Sequence, residues 1–276
     1  MRFGLAALVM ALSAVAACAA ADAEKPRERE RLKQEMPPGR REKLSTGTLF
    51  IPEGVKTDGR VPLFVHFHSA AWLPEVAASR RQVAVISVQL GTGSSVYAKP
   101  FADAKAFHEL LKEAESKGGV KFGTVGLTAW SAGYGAVRAI LRDKEAYERV
   151  SFVLLIDGMH AGYEKGGEKK LLAEDLAVFA RFAEGAAGGK KQMIVTHSEI
   201  VPDGYASTTE TADYLLHHLG LKREEVKKDG PMKTRQLSEA RKGGFTLIGY
   251  AGDAAADHAD QLHSLPEYLK WVRWEP

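Results

Sequence analysis

Residues 126–142 read "GLTAWSAGYGAVRAILR", and the reading of this stretch decides the fold. "TVGLTAW" (124–130) is an apolar run of strand length, while "YGAVRAILR" (134–142) repeats its apolar positions at helical spacing. Between them stands Ser131, with Ala129 two residues before it and Gly133 two residues after. A strand that turns sharply into a helix needs small residues at those places, because the two backbones cross closely. The plainer use of Ser131 is as a helix N-cap, with Gly133 and Gly135 present for packing.

Working outward, apolar runs of strand length alternate with segments of helical period from Leu44 onward. That alternation predicts an α/β fold, a mostly parallel central sheet flanked by helices. "TGTLFIP" (46–52) and "PLFVHFH" (62–68) are expected to form an opening hairpin turned by "EGVKTDGR" (53–60), and "VAVISVQL" (83–90) is the next strand. A helix over about 103–116 carries apolar residues at 106, 107, 110, 111 and 114. Further strands are expected at 150–157, 191–198 and 244–252, with helices over 170–185, closed by Gly185, and over 207–220, opened by a Ser/Thr cap and closed by Gly220. The polar stretch 221–244 suggests one extra hairpin strand near 233–237, and a last helix over 260–274 is kinked by Pro266.

If Ser131 is a nucleophile, it needs a base and an acid delivered by other parts of the chain. His258, in "GYAGDAAADHADQL" (249–262), is the candidate base, expected in a loop between the final strand and the final helix. For the acid, Asp157 ends a strand in "VLLIDGMHAGY" (153–163), at the carboxyl edge where such sheets bind ligands. Glu199 and Asp203 follow the next strand and offer an alternative, of which Glu199 is the stronger; Asp253 and Asp257 are too near His258 in sequence to be preferred. Asp-Gly at 157–158 is also a common turn pair. An oxyanion hole requires two backbone N–H donors. Ala132 would supply one, and Ser69 or Ala70 in "VHFHSAAW" (65–72) the other, with a positive φ at Ser69 costlier than at the glycine that such loops favour.

The strand–Ser131–helix elbow, followed late in the chain by His258, resembles the α/β-hydrolase superfamily over about Leu44 to Trp274. The elbow has Ala129 where the strict G-x-S-x-G pattern has glycine, and Ser69 stands where a His-Gly pattern has glycine. The resemblance implies a serine hydrolase, esterase- or lipase-like, acting without a cofactor through a Ser131–His258–Asp157 triad, with Glu199 as alternative acid. Its expected substrate is a small-molecule or carbohydrate-linked acyl compound.

Charge excludes little else: 38 basic against 35 acidic residues give a net +3, no field that points to nucleic acid. The N-terminus says more. After Arg2, "FGLAALVMALSAVAA" (3–17) is too short and Ala-rich for a good membrane span and reads as an export signal. Residues 1–18 are therefore expected to be a signal, 19–43 a loosely attached charged linker, and 44–276 the catalytic domain. "VAAC" (15–18) resembles a bacterial lipoprotein box, so Cys18, the single cysteine, is expected to carry a lipid anchor or to lie near an ordinary signal-peptidase site. Either way the expected location is outside the cytoplasm: periplasmic, outer-membrane-anchored or secreted. Two rival readings remain. His66 and His68, with Asp157, His160 and His197, would make a metal-dependent hydrolase, although the further Asp-His that completes such motifs is missing. The other rival is a non-catalytic binding protein on the same scaffold.

Overall fold

The computed structural model describes residues 28–166 and 169–274. The expected export signal and Cys18 lie outside the described residues. The strands are β1 (Gly39–Lys43), β2 (Thr48–Pro52), β3 (Arg60–Phe67), β4 (Ala84–Val88), β5 (Lys121–Trp130), β6 (Phe152–Ile156), β7 (Gln192–His197), β8 (Glu224–Asp229), β9 (Arg235–Lys242) and β10 (Phe245–Tyr250). They form a single sheet in the order β1-β2-β4-β3-β5-β6-β7-β10-β9-β8. The central run from β4 to β10 is parallel, and the pairs β1–β2, β2–β4, β10–β9 and β9–β8 are antiparallel. β4 (AVISV) and β6 (FVLLI) are buried at every position. Continuous apolar strands of this kind belong to a sheet covered on both faces.

Helices α1 (Trp72–Arg81), α2 (Ser94–Ala98), α3 (Ala104–Gly118), α4 (Tyr134–Ile140), α5 (Lys144–Arg149), α6 (Ala173–Ala187), α7 (Thr208–Leu219), α8 (Ala255–His263) and α9 (Leu265–Tyr268) complete the layers. One apolar cluster runs through Leu127, Val137, Phe179 and Leu215, and the other, across the sheet, through Phe64, Phe152, Ile248 and Tyr268. The local signals behave as their chemistry requires. Asp103 caps α3 by accepting from Lys105 N at 2.9 Å. Ser207 and Glu210 form a reciprocal capping box on α7, which closes at Gly220 with φ +63°.

Several expectations are corrected. β2 and β3 do not form a hairpin: β4 inserts between them, because a strand buried at all five positions must be paired on both sides. The 221–244 region contributes two strands, β8 and β9, in place of one. α6 runs past Gly185 to Ala187; the glycine lies inside the helix, where a Cβ would come within 3.0 Å of the Tyr147 hydroxyl. The helix after β10 begins at Ala255, so His258 sits in the first turn of α8 and not in a loop, and Pro266 is the second residue of the short α9.

The described part of the charged linker is not loosely attached. Residues 39–43 are β1. Arg31 Nε donates to Asp260 Oδ1 at 2.7 Å and Arg31 Nη2 to the Ala256 carbonyl at 2.8 Å, Arg29 pairs with both Asp257 and Asp260, and Leu32 is buried. The segment thus lies along α8, the helix that carries His258. Composition hid this because the contacts are ionic and leave almost no apolar signal.

Candidate active site

Ser131 follows the last residue of β5 directly and has φ +48°, a left-handed conformation that non-glycine residues seldom adopt. The space around it explains the small residues. A Cβ on Gly133 would stand 2.4 Å from the Phe67 carbonyl oxygen, and one on Gly135 2.0 Å from that of Ser94. Ala129, in the place of the missing glycine, is fully buried between Phe67 of β3 and Leu155 of β6, and its single methyl fits there. Gly158 belongs to the same packing: a Cβ there would lie 2.5 Å from Ser131 N and 2.6 Å from Ser131 O. Sequence reading had only a turn role for it.

Asp157 stands just past β6, 2% exposed, with φ +41°. Its N–H donates to the Thr196 carbonyl at 3.0 Å. Its Oδ1 accepts from Ser198 N at 2.9 Å and Thr208 Oγ1 at 2.6 Å, and its Oδ2 lies 2.7 Å from His258 Nδ1. Burial pushes this carboxyl up, but the hydrogen bond and charge of His258, joined by Thr208 and Ser198, outweigh it and hold it below its ordinary value. An ionised carboxylate only accepts, so His258 Nδ1 carries the shared proton and, in the neutral ring, Nε2 keeps its lone pair.

His258 is fixed from several sides. Its ring packs on Trp130 at 4.6 Å between centroids, and Trp130 Nε1 donates to the His258 carbonyl at 3.1 Å. Asp257 steadies the start of α8 by accepting from Ala254 N at 3.1 Å. Ser131, Asp157 and His258 line one cavity of about 250 Å³ together with His160, Ile200, Pro202, Tyr205, Thr208, Asp253 and Ala255. Larger clefts of about 560 and 1010 Å³ lie elsewhere on the surface, and none of these three residues lines them.

Glu199 is exposed and engaged differently: its Oε2 accepts from Gly252 N at 2.9 Å while its own N–H donates to the Gly252 carbonyl at 3.0 Å. It ties the loop after β7 to the loop after β10. Asp203 is exposed, and Asp253 stands at the exposed rim of the cavity. In the loop after β3, Ser69 is buried with its Oγ donating to the Ala70 carbonyl at 3.2 Å, and Ala70 is exposed. Ser69 avoids the positive φ that would be costly there; in this loop it falls one residue earlier, at His68 with +73°. The His68 ring stacks on Trp130 at 5.2 Å and 14°, with Nδ1 2.8 Å from the Tyr97 hydroxyl. Aromatic packing and that hydrogen bond hold a non-glycine residue where glycine would relieve the strain. Ala132 follows Ser131 in a short 3₁₀ turn, Ser131–Gly133, that leads into α4.

The residues imagined as a metal site are each taken up separately. His66 is buried, with Nδ1 2.8 Å from Thr128 Oγ1, and burial together with His68 pushes it down to about 3. Buried His197 receives a hydrogen bond from Arg223 on Nε2; burial, then that guanidinium, lowers it to about 4. His160 bonds to the Ala206 carbonyl and Asp157 to His258. Among the described residues no three His, Cys, Asp or Glu side chains group as metal ligands do.

Thr208, Ser198 and Gly158 were missed as candidate site residues, and His160 was considered only as a metal ligand. Thr208 sits in "ASTTET", where the hydroxyl run announces a cap; Ser207 is that cap, and its neighbour instead reaches Asp157 across 51 positions of sequence.

A strained serine between a central parallel strand and a helix, with eight sheet positions ordered β1-β2-β4-β3-β5-β6-β7-β10, is the arrangement of the α/β-hydrolase fold. A solved structure agrees on the fold, and two others are similar at lower scores. A feruloyl esterase module from Clostridium thermocellum is 12% identical, with a TM-score of 0.51 over 89% of this chain and 96% of that one. A poly(3-hydroxybutyrate) depolymerase from Bordetella parapertussis is 14% identical (TM-score 0.46, 79% and 82% covered), and an acetyl xylan esterase from Aspergillus awamori 11% (0.45, 79% and 93%). At such identities the likeness is one of fold. No protein-family model matches the chain, and no curated protein matches it.

Proposed function

We propose that the protein is an exported serine hydrolase that cleaves carboxylic esters through an acyl-enzyme on Ser131. The observation that carries this reading is the 2.7 Å contact between Asp157 Oδ2 and His258 Nδ1 beside the cavity that Ser131 also lines. In the proposed reaction Ser131 Oγ attacks the acyl carbon while His258 Nε2 takes its proton. Asp157, ionised and buried, holds the ring tautomer and stabilises the imidazolium as it forms. Backbone N–H groups of Ala132 and of Ser69 or Ala70 face the developing oxyanion. His258 then protonates the leaving alcohol, and in the second half it deprotonates the water that releases the acid.

A fluorophosphonate probe tests this directly. It should label Ser131 in the folded protein, and Ser131→Ala should abolish both labelling and p-nitrophenyl acetate hydrolysis; unlabelled, inactive folded protein would instead support a binding scaffold. A chelator should leave the activity unchanged, which a metal hydrolase would not tolerate. Export follows from the reading of residues 1–18, and cell fractionation, with labelled fatty acid to detect an anchor on Cys18, tests it. No helix among the described residues is long and apolar enough to cross a membrane.

A further inference from the structure

His160 lies three residues beyond Asp157 and forms part of the cavity wall. Its Nδ1 is 2.9 Å from the Ala206 carbonyl oxygen. A carbonyl only accepts, so Nδ1 carries the proton and Nε2 presents a bare lone pair. Two tyrosines hold the ring edge to face, Tyr134 at 5.6 Å and 65° and Tyr205 at 5.0 Å and 89°. The loop it bonds to is itself fixed, since Ala206 N donates to the Ala161 carbonyl at 2.9 Å. Rotating the imidazole would break the Ala206 bond, so the tautomer and the direction of the acceptor are set before any ligand arrives.

The other polar groups of the cavity are already engaged. Both oxygens of Asp157 have donors, the Thr208 hydroxyl is given to Asp157, and His258 and Ser131 belong to the proposed reaction. Asp253 is an acceptor at the exposed rim, in water. Ile200, Pro202, Tyr205 and Ala255 offer mainly apolar surface. The His160 ring lines the cavity, and no described residue makes a hydrogen bond to its Nε2. Burial lowers the pKa of this imidazole, with the Ala206 bond and Asp157 acting in the opposite sense, which keeps it a neutral acceptor.

We propose that His160 selects the substrate: its Nε2 accepts a hydrogen bond from a hydroxyl on the acyl or alkoxy part of the ester, making a small hydroxylated ester the preferred substrate. This deepens the serine-hydrolase reading and rests on it. A plain ester of the same shape would strip water from Nε2 and return nothing, which is a steeper loss than a missing methylene causes. A cationic group is disfavoured, because the neighbouring imidazole of His258 gains positive charge during the proposed reaction. The cavity, about 250 Å³, lies below the usual range of ligand pockets, about 300–1,000 Å³, and so limits the group to a small one.

Binding to Ser131→Ala protein tests the proposal without requiring turnover. Methyl butyrate and the methyl esters of 2-, 3- and 4-hydroxybutyrate are titrated while the ¹⁵N resonances of the histidine rings are followed. At least one hydroxy ester should bind about tenfold more tightly than methyl butyrate, and the His160 Nε2 resonance should move as it does on accepting a hydrogen bond. In the same background His160→Phe should bring the ratio to about one, and His160→Gln, which keeps an acceptor, should retain part of it. Equal or undetectable binding of all four esters, or a preference that survives His160→Phe, overturns the proposal. Failure of the serine reading appears elsewhere, as absence of fluorophosphonate labelling on Ser131.

Discussion

One buried carboxylate bonds to His258 and another follows it along α8, and they are held in opposite ways. Asp157, beneath the ring, is 2% exposed and meets groups without fixed charge: the imidazole, a threonine hydroxyl and a backbone amide. Asp260, two residues further along α8, is fully buried and meets the guanidinium groups of Arg29 and Arg31. A carboxylate whose charge is already balanced by arginine has little left to offer an imidazolium that forms later. One that meets no arginine or lysine among the described residues, only the imidazole, a hydroxyl and an amide, keeps its charge for that ring. On the proposed reading, the difference assigns one carboxylate to charge development at His258 and the other to fastening the helix.

The sharpest test is Asp157→Asn, which keeps the shape and removes the charge. It should lower kcat for p-nitrophenyl acetate by about 10³–10⁴, in line with loss of a triad acid, with the near-ultraviolet circular dichroism unchanged. Thr208→Val removes one donor from Asp157 Oδ1; at about 1.5–3 kcal/mol for a hydrogen bond to a charged group, kcat should fall by about 10- to 150-fold. The Arg29→Ala/Arg31→Ala pair takes two cations from Asp260 and should act on stability, by about 1–3 kcal/mol in urea unfolding, with kcat within a fewfold of the parent. A fall in kcat as deep as that of Asp157→Asn would erase the contrast between the two carboxylates.

The last effect concerns pH. His66 and His197 are lowered in the folded state to about 3 and about 4, so below the ordinary histidine value, about 6.5, the unfolded chain binds more protons. Their contribution to stability is complete above that value and declines as the pH falls toward 4 and then 3. The urea midpoint should therefore drop progressively over that interval, and His197→Gln should flatten the upper part of the slope.

Much of this architecture was legible because it is periodic. The alternation of apolar runs and helical repeats gives the central strands, and the small residues around Ser131 give the elbow. What composition could not express is distance. Asp157 and Glu199 both follow a strand at the same edge of the sheet; only the contact with His258 Nδ1 distinguishes their surroundings. Thr208 carries no local sign of its partner, and Gly158 reads as a turn until a Cβ is placed against Ser131. Residues 28–43 read as a linker because arginine and glutamate suit solvent as well as they suit a partner, and here the partner is α8. The hairpin expected of β2 and β3 failed because a local turn signal cannot reveal that another strand comes between them.

The sheet ends on both sides in strands of unusual composition: β1 reads GRREK and β8 reads EEVKKD, largely exposed and almost wholly charged. Unpaired strand edges invite other strands to add to them, and charge along the edge makes such addition costly. The charge on both borders therefore makes edge-to-edge addition of a further strand costly.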